Sequence, residues 1–252
     1  MATKPAPVKA QVNKYEEELA KFAVQAASQV QVGASNFIST RGGRLSYQGN
    51  PVPGDKMNVI VVASMLENHY YTDRFDAENP ASPKCFAFSE TGDGMGPHEM
   101  SEAPQSELCA KCQQNEWGSA DIGRGKACKN IVRLGVITED GLEDVGAAEL
   151  AVIKIPVTSV REWANYVSQI ASTLKRPPFA VVTEVSIVPD PKTQFKLKFK
   201  LIGQITDGDT IQEIMDRREL VLNELARPYQ ATPTPEPAAP VAGGKAGNKR
   251  KY

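Results

Sequence analysis

An α+β fold, mainly antiparallel β with a few helices, is predicted by three features of the 252-residue sequence. Strand-like runs dominate after about residue 35. Helical periodicity is confined to a few amphipathic stretches. One long segment, about 72–129, has little periodicity of either kind yet contains all four cysteines. A structureless loop of that length is unusual inside a compact domain, so it reads as an insertion closed by a metal.

Residues 1–13 are polar, carry Pro5 and Pro7, and read as a disordered arm. A helix is expected over Lys14–Gln29, where Tyr15, Leu19, Phe22, Ala23 and Ala26 recur at helical spacing. Asn13 and Glu16 supply a capping-box pattern at its start. Asn36–Thr40 and Leu45–Gln48 read as strands around a Gly42-Gly43 turn. Lys56–Leu66 is richly apolar and suits a buried central strand.

After the insertion, Ile131–Thr138 and Glu149–Val157 read as strands. Thr158 or Ser159 is placed to cap a helix reaching Leu174, which Arg176-Pro177-Pro178 ends. Ala180–Val188 and Gln194–Ile202 form a hairpin pattern joined at Asp190-Pro191-Lys192. A last helix is expected over Asp209–Ala226, stopped by Arg227-Pro228. Residues 229–252, rich in Pro, Ala, Thr and Gly, read as a disordered tail with a basic tip. The folded part is therefore 14–228, and five or more short strands with one intervening helix suit an OB-like barrel.

Apolar residues make up 41% of the chain, enough for a core without disulfides. A net charge of −1 means that any nucleic-acid or membrane contact must come from local charge. No run approaches the roughly 18 apolar residues of a membrane span, and the N-terminus lacks a secretory core. The expectation is a cytoplasmic protein with no membrane partner. In a reducing compartment, cysteines bind metal or do chemistry more often than they form disulfides.

Cys85, Cys109-x-x-Cys112 and Cys128 are four candidate ligands. The two-residue gap puts two thiolates on one tight turn, and more distant chain supplies the other two. Four thiolates match a closed, tetrahedral, structural Zn²⁺ site. An iron–sulfur cluster shares the ligand type; a redox pair and two disulfides are the other readings. Lys111, Lys126 and Lys129 lie where they would offset thiolate charge. A deaminase signature is absent, because His98-Glu99-Met100 is not His-x-Glu and Leu108 precedes Cys109.

Gly123-Arg124-Gly125-Lys126, Lys129 and Arg133 form the densest basic stretch of the folded part. Glycine-exposed N–H groups with flanking cations suit phosphates, although this is not a Walker loop. The competing reading is that these cations balance the thiolates. In Phe195–Leu201, Lys196, Lys198 and Lys200 share one face, about 7 Å apart. They suit either a phosphate row or a guarded edge strand. Trp117, in a glycine-rich polar loop, is the best placed of several aromatics to stack a base.

The block from Cys109 through Asn115, Trp117-Gly118-Ser119 and Gly123-Arg124-Gly125-Lys126-Ala127-Cys128-Lys129-Asn130 to Arg133-Leu134 resembles one in bacteriophage proteins. That family comprises single-stranded DNA-binding replication proteins with an OB-like core. The resemblance is specific over about 85–137 and implies that the metal loop is part of a single-stranded DNA surface. It also implies a role in phage DNA replication or recombination, in the host cytoplasm, alongside replication proteins. The tail departs from the acidic ending common in such proteins, since it finishes Lys249-Arg250-Lys251-Tyr252.

The leading expectation is thus a non-catalytic, sequence-nonspecific single-stranded DNA-binding protein. The alternative is a zinc-stabilised protein-interaction or structural adaptor. An enzyme is the weakest reading. His69 and His98 have no evident nucleophile, and Asp73, Asp76 and Glu78 read as loop acids before they read as Mg²⁺ ligands.

Overall fold

A computed structural model describes residues 36–72 and 81–229. The expected arm, the helix over Lys14–Gln29, Asp73, Asp76, Glu78 and the tail beyond Tyr229 lie outside the described residues. Contacts divide the described chain into two units. The first comprises 36–65 and 131–225, and the second comprises 66–72, 81–130 and 226–229.

The fold is α+β, mostly sheet. Its strands are β1 (Phe37–Ile38), β2 (Ser46–Tyr47), β3 (Asn50–Pro51), β4 (Lys56–Tyr70), β5 (Cys85–Ser89), β6 (Lys129–Thr138) and β7 (Ala151–Ile155). Helix α1 (Val157–Leu174) follows, then β8 (Val181–Asp190), β9 (Gln194–Gln204) and helix α2 (Gly208–Leu225). The main sheet has the order β1-β7-β6-β4-β8-β9, and β5 pairs with β4. The pair β1–β7 is parallel, whereas β6–β7, β4–β8, β8–β9 and β4–β5 are antiparallel. No helix among the described residues is long and apolar enough to cross a membrane.

In the first unit, Val59–Ala63 of β4 are all buried. A strand buried on successive residues is covered on both faces, which is why it reads as a continuous apolar run. Leu134, Val136 and Ile137 of β6 and Ile153 and Ile155 of β7 complete the core beside it. Gly135 of β6 lets α2 come close, because a Cβ there would stand 2.2 Å from Val221 Cγ1.

The Asp190 hairpin is present as expected, with Val188 opposite Lys196 and Asp190 opposite Gln194. The early turn differs. Ser39 and Ser46 do exchange backbone hydrogen bonds across Gly42-Gly43 (2.8 and 3.0 Å). The tight two-residue hairpin, however, joins β2 to β3 through Gln48 and Gly49, both with positive φ. That conformation matches the twist of the flanking strands.

Helix α1 also begins differently. Pro156 occupies the N-cap position and no side chain caps the helix. Ser159 is fully buried instead, and its hydroxyl accepts the Leu197 N–H of β9 (2.9 Å). It thereby closes part of the free edge of the last strand in the sheet. Trp163, Tyr166 and Ile170 continue the buried face.

In the second unit, Leu66–Tyr70 of β4 pair with β5. The expected metal-closed insertion over about 72–129 therefore contains a strand. The segment after it lies along the other edge of β5. His98 N–H donates to Phe86 O (2.7 Å), and Ala103 N–H donates to Lys84 O (2.8 Å). The Ser101 hydroxyl both accepts the Phe86 N–H and donates to Phe86 O (3.0 Å each). Phe86 stacks on His98 (5.1 Å) and meets Tyr229 edge-on (5.2 Å). Glu67 is fully buried here and accepts hydrogen bonds from His69 Nδ1 (3.0 Å) and the Tyr229 hydroxyl.

Candidate metal centre and nucleic-acid surface

The four cysteines lie in the second unit. Cys85 opens β5, and Cys109 and Cys112 stand at the two ends of one 3₁₀ turn. Cys128 immediately precedes β6, its N–H donating to Gln114 O (2.8 Å). All four are free thiols. All four line one space of about 10 Å³, together with Asn68 and Asn115. That space is near the lower bound of about 10–15 Å³ for a single water-sized particle.

Convergence stops short of coordination geometry. Among the described residues, no group of three or more His, Cys, Asp or Glu side chains is arranged to hold a metal ion as it stands. The thiols nevertheless sense one another. Burial pushes the Cys128 thiol up to about 12, and any charge on Cys109, Cys112 or Cys85 adds to the rise; Lys126 opposes it. Burial likewise raises Cys109, a hydrogen bond from Asn68 lowers it, and Cys85 and Cys112 raise it further. A divalent cation binds thiolates and would supply an attraction that draws the four sulfurs together. Four sulfur donors on one shared space are the donor chemistry such an ion takes.

Around the thiols runs an amide and ammonium network that sequence reading did not find. Asn115 Nδ2 donates to Cys109 O (2.9 Å), fixing the turn. Lys126 Nζ donates to Asn115 Oδ1 and to Asn130 Oδ1 (3.1 Å each). Asn130 Nδ2 donates to Asn68 Oδ1, and Asn68 returns to Cys109. These asparagines are far apart in sequence and have no spacing motif, so only the fold reveals them.

The loop carrying Trp117 is tied at its base. Gly118 N–H and Ala120 N–H both donate to Gly125 O (3.0 and 3.2 Å). The Ser119 hydroxyl accepts Ala127 N–H (2.9 Å) and lies within reach of Gln114 O and Glu116 O (2.9 and 2.7 Å). On this fixed base, Trp117 is 80% exposed and Ile122 is 74% exposed. Lys126 Nζ stands 5.7 Å from the centre of the Trp117 ring.

The expected basic contacts separate into two groups. Arg124 and Lys129 are exposed in the second unit, and Lys129 Nζ donates to Lys126 O (2.8 Å). Lys126 is half-buried and committed to the network. Arg133 must be corrected. It is only 5% exposed, and its Nη1 donates to Leu225 O (2.8 Å). An arginine spent on the last carbonyls of a buried helix end is structural.

The lysine row is also divided. Lys196 pairs with Asp190 (3.4 Å) and Lys198 with Glu162 (2.8 Å), which favours the guarded-edge reading for both. Lys200 is exposed and enters no ion pair among the described residues. Of the other aromatics considered for stacking, Phe86 is buried in the second unit's core.

Compared with protein-family models, characterised proteins and solved structures, the chain matches none.

Proposed function

We propose that this protein binds single-stranded DNA without sequence preference and without catalysis, in phage DNA replication or recombination. The observation that carries the reading is Trp117. A ring 80% exposed on a loop tied down at its base is a ready platform for a base. Arg124 and Lys129 on the same unit supply phosphate contacts. Zn²⁺ held by Cys85, Cys109, Cys112 and Cys128 is the structural cofactor of this reading. The finer fold reading is an OB-type barrel left open between β1 and β9, the two ends of the strand order.

One observation favours a second reading. Trp117 and Ile122 are both large, apolar and exposed on one loop, which also suits docking to a protein. The two readings separate in one titration. Metal-loaded protein is added to fluorescent oligo-dT at two salt concentrations, with duplex DNA and RNA as comparators. Salt-sensitive binding that favours oligo-dT supports the DNA reading. No binding at low salt overturns it and leaves the adaptor.

A further inference from the structure

Beside the edge of β9, in the first unit, lies a cleft of about 260 Å³. Its walls include Gln169, Ile170 and Thr173 of α1 and Phe199, Lys200 and Leu201 of β9. We propose that this cleft is a second nucleotide subsite, taking one unit of a single-stranded chain with its base in the cleft and its phosphate on Lys200. The proposal rests on the single-stranded DNA reading given above but uses neither Trp117 nor the metal.

The register of β9 supplies the donors. Leu197 N–H points away from β8, because the Ser159 hydroxyl takes it. Side-chain and backbone directions alternate along a strand. Phe199 and Leu201, two and four residues on, therefore also turn their N–H and C=O groups outward. Both residues line the cleft, and among the described residues no other backbone group pairs with those outward edges. Lys200 lines the cleft at the strand edge, where Lys198, of the same strand face, already reaches α1 through Glu162 (2.8 Å); Lys200 enters no ion pair and the Gln169 side-chain amide no hydrogen bond among the described residues.

The apolar wall is rigid. Phe199 stacks against Tyr166 (6.0 Å between centroids) and meets Trp163 edge-on (5.2 Å). Tyr166 is fixed in turn by a 2.6 Å hydrogen bond between its hydroxyl and Thr183. A ring held from two sides costs little ordering when a flat base lies against it. The same cleft is a poor dock for a peptide strand. Ser159 already occupies the edge at Leu197, so only Phe199 and Leu201 offer outward groups before the register shift opposite Val182/Thr183. Strand addition relies on a longer run of main-chain hydrogen bonds.

The test uses the full chain and oligo-dT substituted with 5-iodouracil. Irradiation of the complex and mass spectrometry locate the crosslinks, and Lys200→Gln and Gln169→Ala are titrated with unmodified oligo-dT. Melting curves confirm that both surface variants fold. The expected result is crosslinks at Phe199 or Tyr166 as well as at Trp117, with affinity reduced roughly threefold to tenfold in each variant. Crosslinks at Trp117 alone, with wild-type affinity in both variants, overturn the second subsite and leave the DNA reading standing. Absence of oligo-dT binding by the wild-type protein overturns both.

Discussion

Lys126 holds its ammonium 5.7 Å from the centre of the Trp117 ring while donating to Asn115 and Asn130. An ammonium has three donors. Two amide oxygens and one aromatic face account for all of them, so Lys126 is poorly placed to reach a phosphate. It serves better as the link between the thiol pocket and the exposed ring. Replacing it with methionine keeps the stem and removes the charge. The expected outcome is weaker oligo-dT binding with an unchanged salt slope, and a shifted Trp117 emission in a Trp163→Phe background. A slope flattened by about one unit with unaltered emission would instead make Lys126 a phosphate contact.

Arg124 and Lys129 should behave in the opposite way. Both are exposed, and neither lies under the ring. Arg124→Ala and Lys129→Ala are each expected to weaken binding to all single-stranded sequences alike and to flatten the salt slope by roughly one unit. Arg133→Ala is the internal control. It breaks a buried hydrogen bond to Leu225 O, so it should lower the melting temperature and leave the slope alone. Anisotropy titrations over a range of salt distinguish the three.

The legible parts of this fold are those in which one strong local signal had no rival. The apolar run in β4 and the Asp190 hairpin are examples. Where two signals competed, reading failed. Ser159 carries a cap signal, but Pro156 starts the helix and the hydroxyl goes to β9. Gly42-Gly43 looks like the tighter turn, yet Gln48 adopts positive φ beside Gly49. Cys85–Ser89 is too short to show a period inside a Gly- and Pro-rich stretch. Cysteines advertise their chemistry in sequence, so four thiols are legible there as candidates. Asn68, Asn115 and Asn130 do not, because an asparagine becomes a network member only when the fold supplies its partners. Arg133 misled for a related reason: charge predicts a surface only until a buried carbonyl claims it.

Metal removal should affect the second unit unevenly. Residues 97–103 are tied to the strand edge by main-chain bonds and the Ser101 hydroxyl, without help from the thiols. Residues 109–128 depend on a few loop hydrogen bonds around the thiol pocket. A chelator is therefore expected to raise proteolysis and hydrogen exchange between 109 and 128, and much less over 85–103. Equal protection of both segments with and without chelator would mean that no metal supports the loop.

Gly135 offers a test of packing that leaves the second unit untouched. A methyl group there would meet Val221 Cγ1 at 2.2 Å, and Val221 is fully buried on a short, stiff side chain. Gly135→Ala must push α2 away from β6. Overpacking of this kind costs about 1–3 kcal/mol. The melting temperature should fall, while exchange protection at 109–128 stays at the wild-type level.

The last prediction concerns acid. Asp207 caps α2, its carboxylate accepting the Thr210 N–H and hydroxyl (2.8 Å each). Those bonds hold the Asp207 carboxyl below the usual carboxylate range, the Thr210 N–H foremost. The folded value is depressed, so the stabilisation is fully present above the unfolded value and is lost as pH falls through the folded one. Asp207→Ala should therefore melt below the wild type at neutral pH, and the gap should close as the pH falls below the ordinary aspartate range. Asparagine, a good neutral cap, should recover much of the loss at neutral pH and show a weaker pH dependence. Parallel melting curves of the three proteins across that range measure it. A gap between wild type and Asp207→Ala that stays constant into acid would mean that the carboxylate's charge plays no part in holding the helix start.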